Sequence, residues 1–277
     1  MTALNFPIFT PPADLAPPGL ILMLQPKKSG KSTLSDLVCS TLASQGYDIA
    51  ALRNDQHNRL DRYVESTRIE WATTHDMIAG NVSLDLDRHE VLVELIDDFL
   101  PRPRSVIVYD SSAAGGERLP TVLLLDLYAQ RLAALDRSAL ILVPLRPTDD
   151  IAAGALYAME AAETAMPGSL VVPVVLAQDA DIAPLDTEHA FFKCIALARH
   201  GVIRLPHFPA AITGHLDRLS MPLWALSDPR SLEVRRTVRD NLACTSGQAG
   251  LVVAAVAEMV AILTAELAKL DIGSAPV

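Results

Sequence analysis

The stretch from Leu20 to Ser44 constrains the fold more than any other part of the chain. An apolar run, Leu20-Ile-Leu-Met-Leu24, gives way to Gln25-Pro-Lys-Lys-Ser-Gly-Lys-Ser-Thr33, and apolar residues then recur at 34, 37, 38 and 42. The first run, bounded by turn residues, predicts a buried parallel strand; the later spacing predicts a helix over Ser32 to Ser44. A strand, a polar loop and a helix in that order make a cradle for phosphate, with exposed backbone N–H groups and a helix N-terminus that favours anions. Gly30 allows close backbone approach. Lys31 is then placed to reach β and γ phosphates, Ser32 to ligate Mg²⁺ and Thr33 to approach the α phosphate, while Lys27, Lys28 and Ser29 complete the loop. The expected ligands are ATP and Mg²⁺. The usual pattern G-x-x-x-x-G-K-[ST] places its first glycine at position 25, which is Gln25 here.

Apolar runs at Tyr47 to Leu52, Ser105 to Tyr109, Ser138 to Pro144 and Leu170 to Leu176 predict further strands. Helical stretches at Leu119 to Leu135 and Asp149 to Ala165 are long enough for crossover connections. This alternation predicts an α/β P-loop NTPase fold, a mostly parallel sheet with helices on both faces and ligands at the carboxyl ends of the strands. Residues 1–18, with Pro7, Pro11, Pro12, Pro17 and Pro18, are expected to be an arm that resists helix and sheet. Residues 19–277 are expected to form one domain closed by a C-terminal helix. The charged segment 54–104 predicts a surface excursion with a helix near 88–100.

Two further positions carry chemistry. Asp110 closes a predicted strand, where a carboxylate can hold Mg²⁺ through water, and the small residues from Ser111 to Gly116 form a run able to move. An ordinary strand-ending turn also accounts for Asp110. After the second strand comes Arg53-Asn-Asp-Gln-His-Asn58, in which Asp55 is the candidate to polarise an attacking water, with Gln56 and Asn58 beside it. A solvated loop explains that cluster equally well.

With 277 residues and a net charge of −10, the chain is not broadly attractive to DNA or to anionic membranes, so a nucleic-acid role needs a local patch. Arg230, Arg235, Arg236 and Arg239 form one candidate for non-specific DNA; a solvated helix face paired with Glu233 and Asp240 is the alternative. Leu251 to Leu267 carries Glu258 and Glu266 and is expected to pack rather than to span a membrane. Cys39, Cys194 and Cys244 lack metal or redox spacing and are expected to be free thiols. No basic region precedes an apolar run at the N-terminus, and a cytoplasmic location is expected.

The order of these features resembles the ParA/MinD group of deviant Walker-type P-loop ATPases, including the plasmid-borne StbC and TraL-like relatives, over residues 19–230. The resemblance is carried by the loop 25–33, Asp55-Gln-His-Asn58, Tyr109-Asp110 before Ala114-Gly115, and Ile203-Arg-Leu-Pro206 with Asp217-Arg-Leu-Ser-Met-Pro222. It implies a Mg²⁺-dependent ATPase of low turnover that exchanges ATP and ADP, pairs as a nucleotide-dependent homodimer, engages a protein partner and serves plasmid maintenance or conjugative transfer. The family's first loop lysine, which reaches across the dimer, falls at Pro26, so Lys27 or Lys28 has to substitute; we assign Lys28, with Asp55, the catalytic role. The family aspartate near the attacking water falls at Asn54, and Ala177-Gln-Asp-Ala180 stands where an adenine-reading asparagine is expected. These departures leave open a degenerate, non-hydrolysing nucleotide-binding regulator. A small-molecule or nucleotide kinase with Arg59, Arg62 and Arg68 as an arginine lid is also open.

Overall fold

The computed structural model describes residues 6–54, 59–73, 84–206, 210–216 and 218–272. Seven strands form one sheet: β1 Pro18–Met23, β2 Asp48–Arg53, β3 Ser66–Arg68, β4 Ser105–Asp110, β5 Ser138–Leu145, β6 Leu170–Leu176 and β7 Ile203–Leu205. Their order is β3-β2-β4-β1-β5-β6-β7, and every pairing is parallel. The helices are α1 Lys31–Ser44, α2 Leu84–Asp98, α3 Gly115–Leu125, α4 Tyr128–Ala134, α5 Asp149–Ala165, α6 Asp179–Ile182, α7 Ala190–Leu197, α8 Ala210–Leu216, α9 Leu232–Leu242 and α10 Ser246–Leu267. This is the α/β architecture that the alternation of apolar runs predicts.

Side chains on a strand alternate between faces, so a strand covered on both sides is apolar at every position. On β1, Ile21 and Met23 enter the core shared with α1 and α10, whereas Leu20 and Leu22 enter the core shared with α2, α3 and α5. The alternation repeats on β4 and β5, where Val106, Val108, Leu140 and Leu142 face α1, and Ile107, Tyr109, Ile141 and Val143 face the opposite layer. β1 lies centrally, between β4 and β5. Its loop therefore opens at the middle of the sheet's carboxyl edge, where the chain switches sides.

Three local expectations change. The stretch 119–135 is two helices, because Leu127 takes the left-handed conformation at φ 57° and turns the chain between α3 and α4 so that Tyr128 and Leu132 are buried. The arm is not free of sheet contacts: Ile8 bridges Val202 in parallel, Thr10 N–H donates to His200 O at 2.8 Å, and Phe9 is buried. α2 begins four residues before the expected helix near 88–100 and ends at Asp98. α10 has the length and apolarity to cross a bilayer. In this fold it lays Val252, Val256, Met259 and Leu263 into the core beside α1.

His89 on α2 is fully buried against the sheet, with its ring 4.6 Å from that of Trp71. Its Nδ1 lies 2.6 Å from the Asp85 carbonyl and so carries the proton of the neutral ring, leaving Nε2 to accept from the Tyr109 hydroxyl at 2.7 Å. That hydroxyl also lies 2.8 Å from Asn54 Oδ1, so one proton serves two acceptors. Burial lowers the His89 pKa from 6.5, against the opposing pull of the Asp85 carbonyl. The unfolded chain then binds this proton more readily than the folded one, so stability falls as pH drops below about 6.5 and continues to fall until the lowered folded value is reached. The limiting slope for one proton is about 1.4 kcal/mol per pH unit. Denaturant unfolding at pH 7.5, 6.5 and 5.5 is expected to show a shallower loss for His89→Gln than for the parent; identical slopes would exclude His89 as the titrating group.

Candidate functional site

Lys31 opens α1 and is only 6% exposed. A buried ammonium requires oxygen partners, and its Nζ donates to Gln25 O at 2.6 Å and Lys27 O at 2.8 Å. The loop thus wraps its own lysine. Gly30 caps α1 at φ 105°, a conformation that side chains rarely adopt, and α1 has neither a side-chain cap nor an acidic residue in its first turn. The helix terminus therefore presents its positive end without a side-chain carboxylate on it, an arrangement that favours an anion.

Gln25, at the place of the motif's first glycine, is fully buried. Its Nε2 donates to Pro144 O on β5 and Ile151 O on α5, each at 3.1 Å, and its Oε1 accepts from Lys27 N–H at 3.3 Å. Two glycines make room for this segment. A Cβ on Gly116 would lie 2.4 Å from Gln25 C and Pro26 N, and one on Gly154 would lie 2.5 Å from Gln25 Oε1. Pro26 is buried between them.

A cavity of about 560 Å³ opens beside the loop. Its described wall consists of residues 28–33, Asn54 after β2, Arg59 and Arg68, and residues 111–114 after β4. Among the described residues that wall carries Lys28, Lys31, Arg59 and Arg68 and no carboxylate. Ser29, Ser32 and Thr33 add hydroxyls, and Arg59 Nη1 donates to Thr33 Oγ1 at 3.2 Å. Lys27 is exposed and takes no part in the wall; it contributes its carbonyl and its N–H to the loop.

Asp110 is 3% exposed and lies behind the wall, at the end of β4 between the last residues of β1 and β2. Ser111 Oγ donates to Met23 O at 2.5 Å and Asn54 N–H to Asp110 O at 3.1 Å, which fixes the strand ends to one another. In the run 111–116, Ser112, Ala113 and Ala114 are partly open and line the cavity, while Gly115 and Gly116 are buried in the first turn of α3, with Gly116 pressed on the loop. Asn54 is committed on both sides, donating to Ile69 O at 2.9 Å and accepting from Tyr109. Asp55, Gln56, His57 and Asn58 lie outside the described residues. Of the three lid arginines, Arg62 is turned away from the cavity, to Asp36 at 3.3 Å and Leu216 O at 3.0 Å.

Elsewhere, Gln178 caps α6 in a reciprocal bond pair with Asp181, and Asp179 pairs with Arg204 at 2.7 Å. The basic cluster on and before α9 is not part of the cavity wall: Arg239 pairs with Asp240 at 2.7 Å and Arg235 donates to Pro229 O at 2.9 Å. Cys39 and Cys194 are buried free thiols whose pKa values burial raises, that of Cys194 to about 12.

No family model and no curated protein sequence matches the chain. Among solved structures, the fold is similar to the MinD cell division protein of Aquifex aeolicus, at 14% identity and a TM-score of 0.48 over 89% of this chain and 97% of that one. It is also similar to the MinC:MinD complex of the same organism (18%, 0.47, 81% and 93%) and to an ATP complex of McdA from Cyanothece (14%, 0.41, 83% and 98%). These are likenesses of fold at low identity, and the roles of residues rest on the cavity itself.

The glycine contacts yield a graded expectation. Gly116→Ala meets backbone at 2.4 Å and is expected to cost about 1–3 kcal/mol or more by overpacking. Gly154→Ala meets the end of a side chain and is expected to cost less. Gly247→Ala, with nothing within 4 Å in the first turn of α10, is expected to be neutral or stabilising. Thermal melting of the three variants checks the order; equal effects at 116 and 247 would contradict the close packing of the loop.

Proposed function

We propose that this chain is a Mg²⁺-dependent nucleoside-triphosphate-binding protein of the ParA/MinD-like kind, with ATP as ligand and slow hydrolysis to ADP. The observation that carries this reading is the cation-lined cavity at the carboxyl end of β1, set on the uncapped N-terminus of α1. Its volume is ample for a nucleotide's phosphates, and its donors suit them: backbone N–H groups, one buried ammonium, two guanidinium groups and several hydroxyls. Lys31 and residues 28–33 would hold the phosphates, Ser32 would ligate Mg²⁺, and Asp110 would act on the metal through water. The bound metal would neutralise phosphate charge and orient the terminal group.

Slow turnover follows from Asn54. An amide cannot take a proton from water, and this one is already held by Ile69 and Tyr109. General-base work then falls to Asp55 or is absent, so the non-hydrolysing regulator is the second reading. A cytoplasmic setting is carried over from the reading of the sequence itself, and a nucleotide-dependent homodimer, a protein partner and a role in plasmid maintenance or transfer come from the sequence resemblance alone. Non-specific DNA is the lesser partner, through Arg235, Arg236 and Arg239.

Calorimetry with ATP and Mg²⁺ tests the reading directly. Lys31→Ala is expected to weaken ATP about 10-fold to 100-fold, the usual value of a charge-assisted bond of about 1.5–3 kcal/mol. Unchanged affinity in a folded variant would remove the loop as the phosphate site.

Asp110→Asn is expected to weaken binding with Mg²⁺ by at least several-fold and to leave metal-free binding close to the parent's, since the carboxylate meets the nucleotide only through the metal's shell. Paired titrations with Mg²⁺ and with a chelator provide the comparison. Equal losses in both would make Asp110 a structural residue.

A further inference from the structure

In the resembling family, a loop lysine at position 26 reaches across a dimer to the phosphates, and here that position is Pro26. Pro26 itself carries no charge, and on the same segment Lys28 is the lysine that joins Lys31 in the cavity wall. Pro26 is buried: a Cβ on Gly116 would come within 2.5 Å of its Cα, and one on Gly154 within 3.2 Å of its Cγ. Lys27 does not line the cavity. Lys28 does line it, but as an exposed side chain on a flexible stem.

Arg59 and Arg68 line the same cavity from the other side. Arg59 opens a short 3₁₀ turn, Arg59–Arg62, and its guanidinium reaches Thr33 on α1 at 3.2 Å. That turn is tied to α1 by two further contacts: Asp36, 1% exposed, accepts from Tyr63 Oη at 2.6 Å and pairs with Arg62 at 3.3 Å. Leu60 is buried beneath the turn. Arg68 ends β3, in register with Arg53, the residue before Asn54, and is steadied by Glu70 at 3.0 Å. Both arginines therefore stand on anchored backbone, one at the Thr33 end of the cavity and the other at the strand edge. A guanidinium presents a planar fork that matches phosphate oxygens.

Resting on the reading of the cavity as a triphosphate site, we propose that Arg59 and Arg68 are phosphate-binding residues that supply in cis the positive charge missing at position 26. A single chain then completes the charge complement around the polyphosphate. Nucleotide binding consequently does not require a second copy, and any pairing of chains comes after it.

The test uses a fluorescent ATP analogue and unlabelled ATP, with Mg²⁺, titrated into the full chain at protein concentrations spanning a hundredfold, with sedimentation to follow assembly. The parent is expected to bind already at the low end of that range, where it sediments as a monomer. Arg59→Gln and Arg68→Gln are each expected to weaken ATP at least tenfold, Arg59→Lys and Arg68→Lys to retain part of the affinity, and ligand-free melting to stay near the parent's. Arg68 is surface-exposed, so its substitution reports on binding even where Arg59→Gln disturbs the contact to Thr33. Full affinity in both Gln variants, alongside loss in Lys31→Ala, overturns the proposal and leaves the triphosphate reading standing. Binding confined to concentrations at which the nucleotide-free parent is already dimeric also overturns it. Absence of ATP binding by the parent overturns both.

Discussion

An ammonium enclosed by protein must find oxygen atoms, and the shape of the phosphate loop follows from that requirement at Lys31. The carbonyls of Gln25 and Lys27 supply them, so this half of the loop is committed inward and the cavity wall begins only at residue 28. The wrapped lysine can be held in this way because β1 is buried on both faces and ends in the middle of the sheet, with β4 and β5 as walls. A loop on an edge strand would lack such walls.

The parts of the fold legible in the sequence are those that a two-sided parallel sheet imposes. β1, β4, β5 and β6 are apolar at nearly every position because each side chain meets a helix layer, and α5 and β6 have the boundaries their patterns predict. β3 and β7 are three-residue strands with exposed polar positions, too short to show either period. The break at Leu127 has no glycine or proline to announce it, since it is set by the burial of Tyr128 and Leu132 in the layer below. At the site, Gly30, Lys31 and Ser32 follow from motif spacing, whereas Arg59 and Arg68 enter the sequence reading only with Arg62, as the arginine lid of a kinase. Only the pairing of β3 with β2 and the knot at Asp36 bring them to the cavity.

Charge is unevenly spent across this molecule. The chain as a whole is strongly acidic, yet the described wall of the cavity is cationic, and low-dielectric walls concentrate such a field rather than dispersing it. A basic cleft in a chain of net negative charge favours small anions that can enter it over large polyanions that would have to cover much of the surface. Asp110 is buried at the end of β4 and, among the described residues, contributes no carboxylate to that wall.

Gln25 and Gly154 fit each other as a bulky and a hollow half of one lock. The amide fills the space that a glycine at 25 would leave, and its two bonds satisfy carbonyls 119 and 126 residues away in sequence. A glycine at position 25 would open a void and remove both bonds, and enlargement of position 154 would then be tolerated where it is now opposed. The two positions are therefore epistatic, and the order in which they change matters. What position 25 can hold is thus set by a residue at 154 that a comparison confined to the loop does not include.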